Sequence, residues 1–307
     1  MSPRSSFHPS TFQPFLLSTL PLHFTAQLLH RATPNTLPNS TITPLSHLVG
    51  YQNRAAEKSG WNLICGTFLP VGKAGTSMAL ADVAGNSLWD PSGDNIQFLD
   101  AGGGTRNRED GYQAVYTYLN ADWASSMGCD VGWYQVDALM NDGLFLNPEA
   151  GDDFSYGSGA VVQTGSTEAG LMFSGEVAKG PQTVLALKAG WNIMGNPLPI
   201  AMTFADISAN EIWDPSGDNI QFLDAGGGTK VREDGYQAVY TYLNADWASS
   251  MSCDVGWYQV DALMNDGLFV KPDTEDNNVN PGASFVVQTG STESGVQFMA
   301  ALPANAE

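Results

Sequence analysis

Residues 89–145 and 213–269 align without a gap at an offset of 124 and are identical at 54 of 57 positions. They differ only at Arg106/Lys230, Asn107/Val231 and Gly128/Ser252. The match runs outward at lower identity: Gly60-Trp61-Asn62-Leu63 answers Gly190-Trp191-Asn192-Ile193, and Val161 to Glu168 answers Val286 to Glu293. All eight tryptophans fall into matched pairs, 61/191, 89/213, 123/247 and 133/257. Two repeats of about 125 residues are too long and too few for a solenoid or propeller, and each is large enough to bury its own core. A Gly-Pro step within Val177–Gln182 punctuates the chain between them. The expected division is 1–48 as a disordered tail or atypical export segment, 49–177 as copy 1 and 178–304 as copy 2. A single pseudo-symmetric domain is the alternative. Recent duplication explains the near-identical centre more simply than functional constraint does.

Within each copy the local signals are those of strands. Trp61–Leu69, Asp94–Leu99, Gly132–Val136, Val161–Thr164 and Leu171–Phe173 are short runs of apolar and β-prone residues. Tyr112–Leu119 alternates, placing Tyr112, Ala114, Tyr116 and Tyr118 on one face and Gln113, Val115, Thr117 and Leu119 on the other. The intervening segments are rich in Gly, Asp, Asn and Ser, and Asn141-Asp142-Gly143 reads as a hairpin turn. Short helical turns are expected near Leu80–Ala84 and Ala121–Ser125, the second capped by Asp122. The expected fold class is all-β: two tandem antiparallel sandwich or barrel-like modules.

Charge and rare residues exclude several kinds of chemistry. The first fifty residues carry two arginines and no acid, so of a net charge of −20 residues 51–307 carry −22. Such a surface repels phosphate backbones and anionic lipid, which argues against nucleic-acid binding and favours solubility. All four histidines (His8, His23, His30, His47) lie in the first fifty residues, so the paired modules lack a histidine base and imidazole metal ligands. Cys65, Cys129 and Cys253 form no Cys-x-x-Cys pair. Cys129 and Cys253 are equivalent, and a bridge between them requires the modules to meet near a pseudo-twofold axis; buried free thiols are the expectation. The most apolar part of the tail, Phe12–Leu29, is broken by Pro14, Pro21 and His23, and no stretch reaches transmembrane length.

The Gly-Trp-Asn-Leu/Ile opening and the closing Ala160–Ser166 (AVVQTGS) and Phe285–Ser291 (FVVQTGS), with Phe173-Ser-Gly-Glu-Val177 after the first, resemble a recurrent bacterial β-domain of exported or surface proteins. Val49-Gly50-Tyr51-Gln52 is similar to the first strand of such proteins after their signal peptide. The likeness covers roughly residues 49–302 and implies export and a β fold, but no activity. The tail departs from it, because a clean signal peptide would stand there.

Two sets of residues are candidate sites. Asp90, Asp94 and Asp100, with Asp214, Asp218 and Asp224 in copy 2, place oxygens at the alternate positions a calcium loop uses, although an EF-hand is excluded by Asn95 and Ala101 at its glycine and glutamate positions. An Asx-rich turn is the competing reading. Trp123, Trp133 and Tyr134, with Trp247, Trp257 and Tyr258, form a candidate sugar-stacking face, against which stands the tendency of strand aromatics to fill cores. Ala101-Gly-Gly-Gly-Thr105 has the glycines of a phosphate loop but leads into a strand, so a hairpin loop is expected.

These readings converge on a non-enzymatic structural or adhesive module, extracellular or at a cell surface, with no resident cofactor beyond the calcium candidate. Its expected partners are polysaccharide or other surface proteins, with no nucleic acid and no membrane insertion. A carbohydrate-binding module is the alternative, and an enzyme hydrolysing glycosides through paired carboxylates the third.

Overall fold

A computed structural model describes residues 49–299, apart from 57–58, 72–76, 178–181, 184–186, 225–226, 266, 268 and 275. The tail at 1–48 lies outside the described residues. Copy 1 contains β1 (Val49–Ala55), β2 (Gly60–Cys65), β3 (Ser77–Ala79), β4 (Ala84–Gly85) and β5 (Asn95–Gln97). It continues through β6 (Val115–Leu119), α1 (Ala121–Met127), β7 (Gly132–Gln135), β8 (Asp153–Ser155), β9 (Gly159–Thr164) and β10 (Gly170–Glu176). Copy 2 repeats the order with β11 (Gln182–Thr183), β12 (Gly190–Gly195), β13 (Met202–Thr203), β14 (Ile207–Ala209) and β15 (Asn219–Gln221). Then follow β16 (Val239–Leu243), α2 (Ala245–Met251), β17 (Gly256–Gln259), α3 (Val260–Asn265), β18 (Asn278–Val279), β19 (Ser284–Thr289) and β20 (Val296–Phe298).

Each copy is an antiparallel sandwich, and the topology of the two is the same. A five-stranded sheet runs β2-β9-β5-β6-β7 in copy 1 and β12-β19-β15-β16-β17 in copy 2. A three-stranded sheet runs β1-β10-β4 and β11-β20-β14, and the ribbons β3-β8 and β13-β18 complete the set. The inner row of the first large sheet (Ile64, Val162, Ile96, Tyr116, Trp133) packs with Leu171 and Phe173 of the small sheet and Met78 and Phe154 of the ribbon. Alternation along the strand explains this, since every second side chain must leave water together. Trp89 and Trp133 meet edge to face with ring centroids 5.2 Å apart, a geometry that suits the ring quadrupoles.

Tyr116 and Leu119 are buried on opposite faces of β6, as the alternation predicts: Leu119 joins a second small core with Ala124 and Tyr134 beneath α1. Tyr112–Ala114, in contrast, lie before the strand. Two local expectations are corrected. The cap of α1 is Asn120, whose side chain accepts from the amides of Asp122 and Trp123, because the helix begins at Ala121 and leaves Asp122 inside its first turn. Asn141-Asp142-Gly143 makes no hairpin: residues 138–142 form one wide helical turn, and Gly143 at φ +66° stops it.

The two sandwiches belong to one compact unit. Their junction is reciprocal. The bridge Ile64↔Ala283 is answered by Ser158↔Met194, and the Cys65 amide donates to Gly282 O at 3.2 Å as the Gly195 amide donates to Gly157 O at 3.0 Å. Each residue thus meets the counterpart of its counterpart's partner, the signature of a twofold. The axis passes by Cys65 and Gly195. A β-carbon placed on Gly195 would lie 2.8 Å from Cys65 Sγ and 2.4 Å from Ala283 O, so the missing side chain of one copy leaves room for the thiol of the other.

Candidate functional site

The aspartates expected to hold calcium are not gathered into a cation cage. Asp94 is buried, with Oδ1 accepting from the Gly165 amide at 2.8 Å and Oδ2 from the Asp90 amide at 2.9 Å. Asp218 does the same with Gly290 and Asp214 and also accepts from Ser294 Oγ at 2.7 Å. These carboxylates tie the turn before β5 or β15 to the end of the neighbouring strand. Asp90 and Asp214 accept from the amide and hydroxyl of Ser92 and Ser216, an Asx turn that holds both carboxyls below the usual range. Asp100 and Asp224 close the glycine hairpins, their amides donating to Gly104 and Gly228. Among the described residues no three acidic, His or Cys side chains converge.

The aromatic set is likewise divided. Trp133 and Trp257 are core residues whose indole N–H groups donate to Val83 O and Ile207 O. Tyr134 and Tyr258 are buried against α1 and α2, with hydroxyls on Asp130 O and Asp254 O. Only Trp123 and Trp247, on the helices, are exposed, at 40% and 38%. Spacing could not reveal this, because strand aromatics on either face of β7 and β17 find a core to enter.

The tertiary structure adds a buried ionic network that the sequence did not announce. In copy 2, Arg232 Nη1 donates to Tyr240 OH at 2.6 Å, Tyr240 OH to Asp276 Oδ2 at 2.6 Å, and Lys230 Nζ pairs with Asp276 Oδ1 at 2.7 Å. In copy 1 Arg108, Tyr116, Asp152 and Arg106 make the same set. Burial raises both tyrosines above the ordinary phenol value, and in copy 2 the Asp276 carboxylate adds to it. Asp152 and Asp276 lie outside the near-identical segment, which is why repeat comparison passed over them. All three thiols are free, and Cys129 and Cys253 sit beneath their own helices.

A cleft of about 640 Å³ lies at the junction of the two copies. The outer faces of the large sheets supply Trp61, Leu63 and Val161 from one side and Trp191, Ile193 and Val286 from the other. Leu99, Gly102 and Gly103 of copy 1 and Leu223, Asp224 and Gly227 of copy 2, with Asn278 and Asn280, contribute to its walls. Across each sheet the tryptophan is paired with a glutamine, Trp61 with Gln163 and Trp191 with Gln288. Asn95 and Asn219 stand next in those rows and donate to the glutamine side chains at 3.4 Å. Trp61 was legible in the sequence only as the repeat's opening motif; its role at the junction follows from the twofold. No family model, curated protein or solved structure matches the chain.

Proposed function

We propose that this chain is a non-enzymatic, exported structural or adhesive module acting at a cell surface or in an extracellular matrix. The observation that carries the reading is a duplicated apolar surface on an otherwise acidic protein. Trp123, Met127 and Val131 are exposed on and after α1, and Trp247 and Val255 are exposed at the equivalent places around α2. Apolar side chains left in water at matched positions of two rigid copies suit bivalent attachment, in which the second contact forms at high effective concentration. The buried acids support the same reading, since Asp94, Asp152, Asp218 and Asp276 are engaged in holding strands and turns. The resemblance of the repeat's opening and closing motifs to exported β-domains supports the location.

The test is to express the full chain with a C-terminal tag in its source cells and treat intact cells with protease. Loss of the tag from the surface or medium fraction while a cytosolic marker survives is the expected result. A tag found wholly in the protected cytosol sinks the proposal.

A further inference from the structure

The cleft at the twofold has a composition that selects a ligand. Its ionisable lining residues are two basic, Arg54 and Lys230, and two acidic, Asp224 and Asp276, so it is formally neutral in a chain of net charge −20. Lys230 and Asp276 are moreover paired with each other at 2.7 Å. A cation or a phosphate ester therefore finds no excess of opposite charge there. What the cleft does offer is two indoles, one from each copy, together with short amides.

Trp61 lines the cleft and keeps 38% of its surface exposed. Trp191 is held by its surroundings: a β-carbon on Gly103 would come within 3.8 Å of its ring, so the glycine hairpin of copy 1 lies against it. Amide-bearing residues of the cleft lining are Asn62, Asn278 and Asn280, and Gln163 and Gln288 are the cross-strand partners of Trp61 and Trp191. An indole face with neighbouring amides complements a pyranose ring, whose C–H face is apolar and whose edge is lined with hydroxyls. The volume falls within the usual range for small-molecule sites, about 300–1,000 Å³.

We propose that the cleft between the two copies binds a neutral oligosaccharide, with Trp61 and Trp191 as stacking platforms. The site exists only because the copies pair about their twofold, since each contributes one indole. The proposal does not depend on where the chain resides, so its failure and the failure of an exported role are separate results.

The experiment is tryptophan fluorescence and calorimetric titration of the full chain with cellohexaose, xylohexaose, mannohexaose and chitohexaose. Four variants accompany it: Trp61→Ala, Trp61→Phe, Trp191→Ala and Trp123→Ala, each checked for native near-ultraviolet dichroism. A saturable response to at least one neutral glycan is expected. Its affinity should fall roughly tenfold or more in Trp61→Ala and Trp191→Ala, recover in part in Trp61→Phe, and persist in Trp123→Ala. Should Trp191→Ala loosen the junction, Trp61→Phe against Trp61→Ala still decides the matter. No saturable response to any of the four glycans overturns the proposal. So does binding that survives both cleft alanine variants, and so does binding lost only in Trp123→Ala, which would place the sugar on the helices.

Discussion

Residue 252 shows what one of the three differences between the near-identical segments does to the backbone. Gly128 ends α1 in the left-handed region at φ +71°, and its counterpart Ser252 is held at φ +58°, the one non-glycine residue with positive φ among the described residues. A β-carbon in that conformation crowds its own carbonyl, at a cost of about 1–2 kcal/mol. Ser252→Gly is therefore expected to stabilise copy 2 by about 1 kcal/mol, read as a rise in the chemical-denaturation midpoint; an unchanged or lower midpoint would show that the serine is compensated. Arg106/Lys230 is a second informative difference. Both cations reach the buried carboxylate of their copy, and the arginine also donates to Gly151 O at 3.0 Å.

At the scale of elements, β7 and α1 lie close in the chain yet place their tryptophans in opposite environments. Trp133 enters the sandwich, where its indole N–H is bonded to Val83 O at 2.7 Å, while Trp123 stands on the solvent side of a two-turn helix. Trp133→Ala should destabilise copy 1 by about 3–5 kcal/mol through the cavity and the orphaned carbonyl. Trp123→Ala should cost less than about 1 kcal/mol. Thermal unfolding of the two variants checks this, and similar losses in both would mean that the helix is part of the main core. The helices themselves are capped by Asn120 and Asn244, so their existence depends on the residue before the apolar pattern begins.

At the scale of the molecule, the twofold junction couples the copies through Cys65 and Gly195. Burial pushes the Cys65 thiol up to about 12, against the smaller opposing pulls of the Ser284 hydroxyl and the Arg54 charge. The sign follows: the folded state keeps the thiol protonated where the unfolded chain ionises it. Its contribution is complete below the ordinary thiol range and is lost as pH rises through about 12. At pH 8 Cys65 should resist a thiol reagent that reaches the half-buried Cys129 and Cys253. Gly195→Ala inserts a methyl group against Ala283 O and Cys65 Sγ, and is expected to cost about 1–3 kcal/mol. Modification of Cys65 should become roughly tenfold faster in that variant, through local opening of the junction. Unaltered reactivity would show that the copies do not rely on this contact.

How much of this was legible depends on the range of the interactions involved. The all-β class, the doubled architecture and most strands are written in local alternation and in the repeat, because a strand needs only every second side chain to leave water. Periodicity could not say which face of each strand would find a core, so Trp133, Tyr134 and their counterparts read as surface candidates until the small sheet and the helices were seen to cover them. The aspartates of the Asp90–Asp94 turn likewise carry the composition of a cation loop, but the Gly165 amide, some seventy residues away, claims one oxygen of Asp94 and the Asp90 amide the other. Trp61 and Trp191, far apart in the chain, share a cleft only because two folded copies pack about a twofold. Local chemistry determined the elements and their repetition; burial, the partners of the acids and the shared cleft were decided by contacts between residues that no short-range pattern relates.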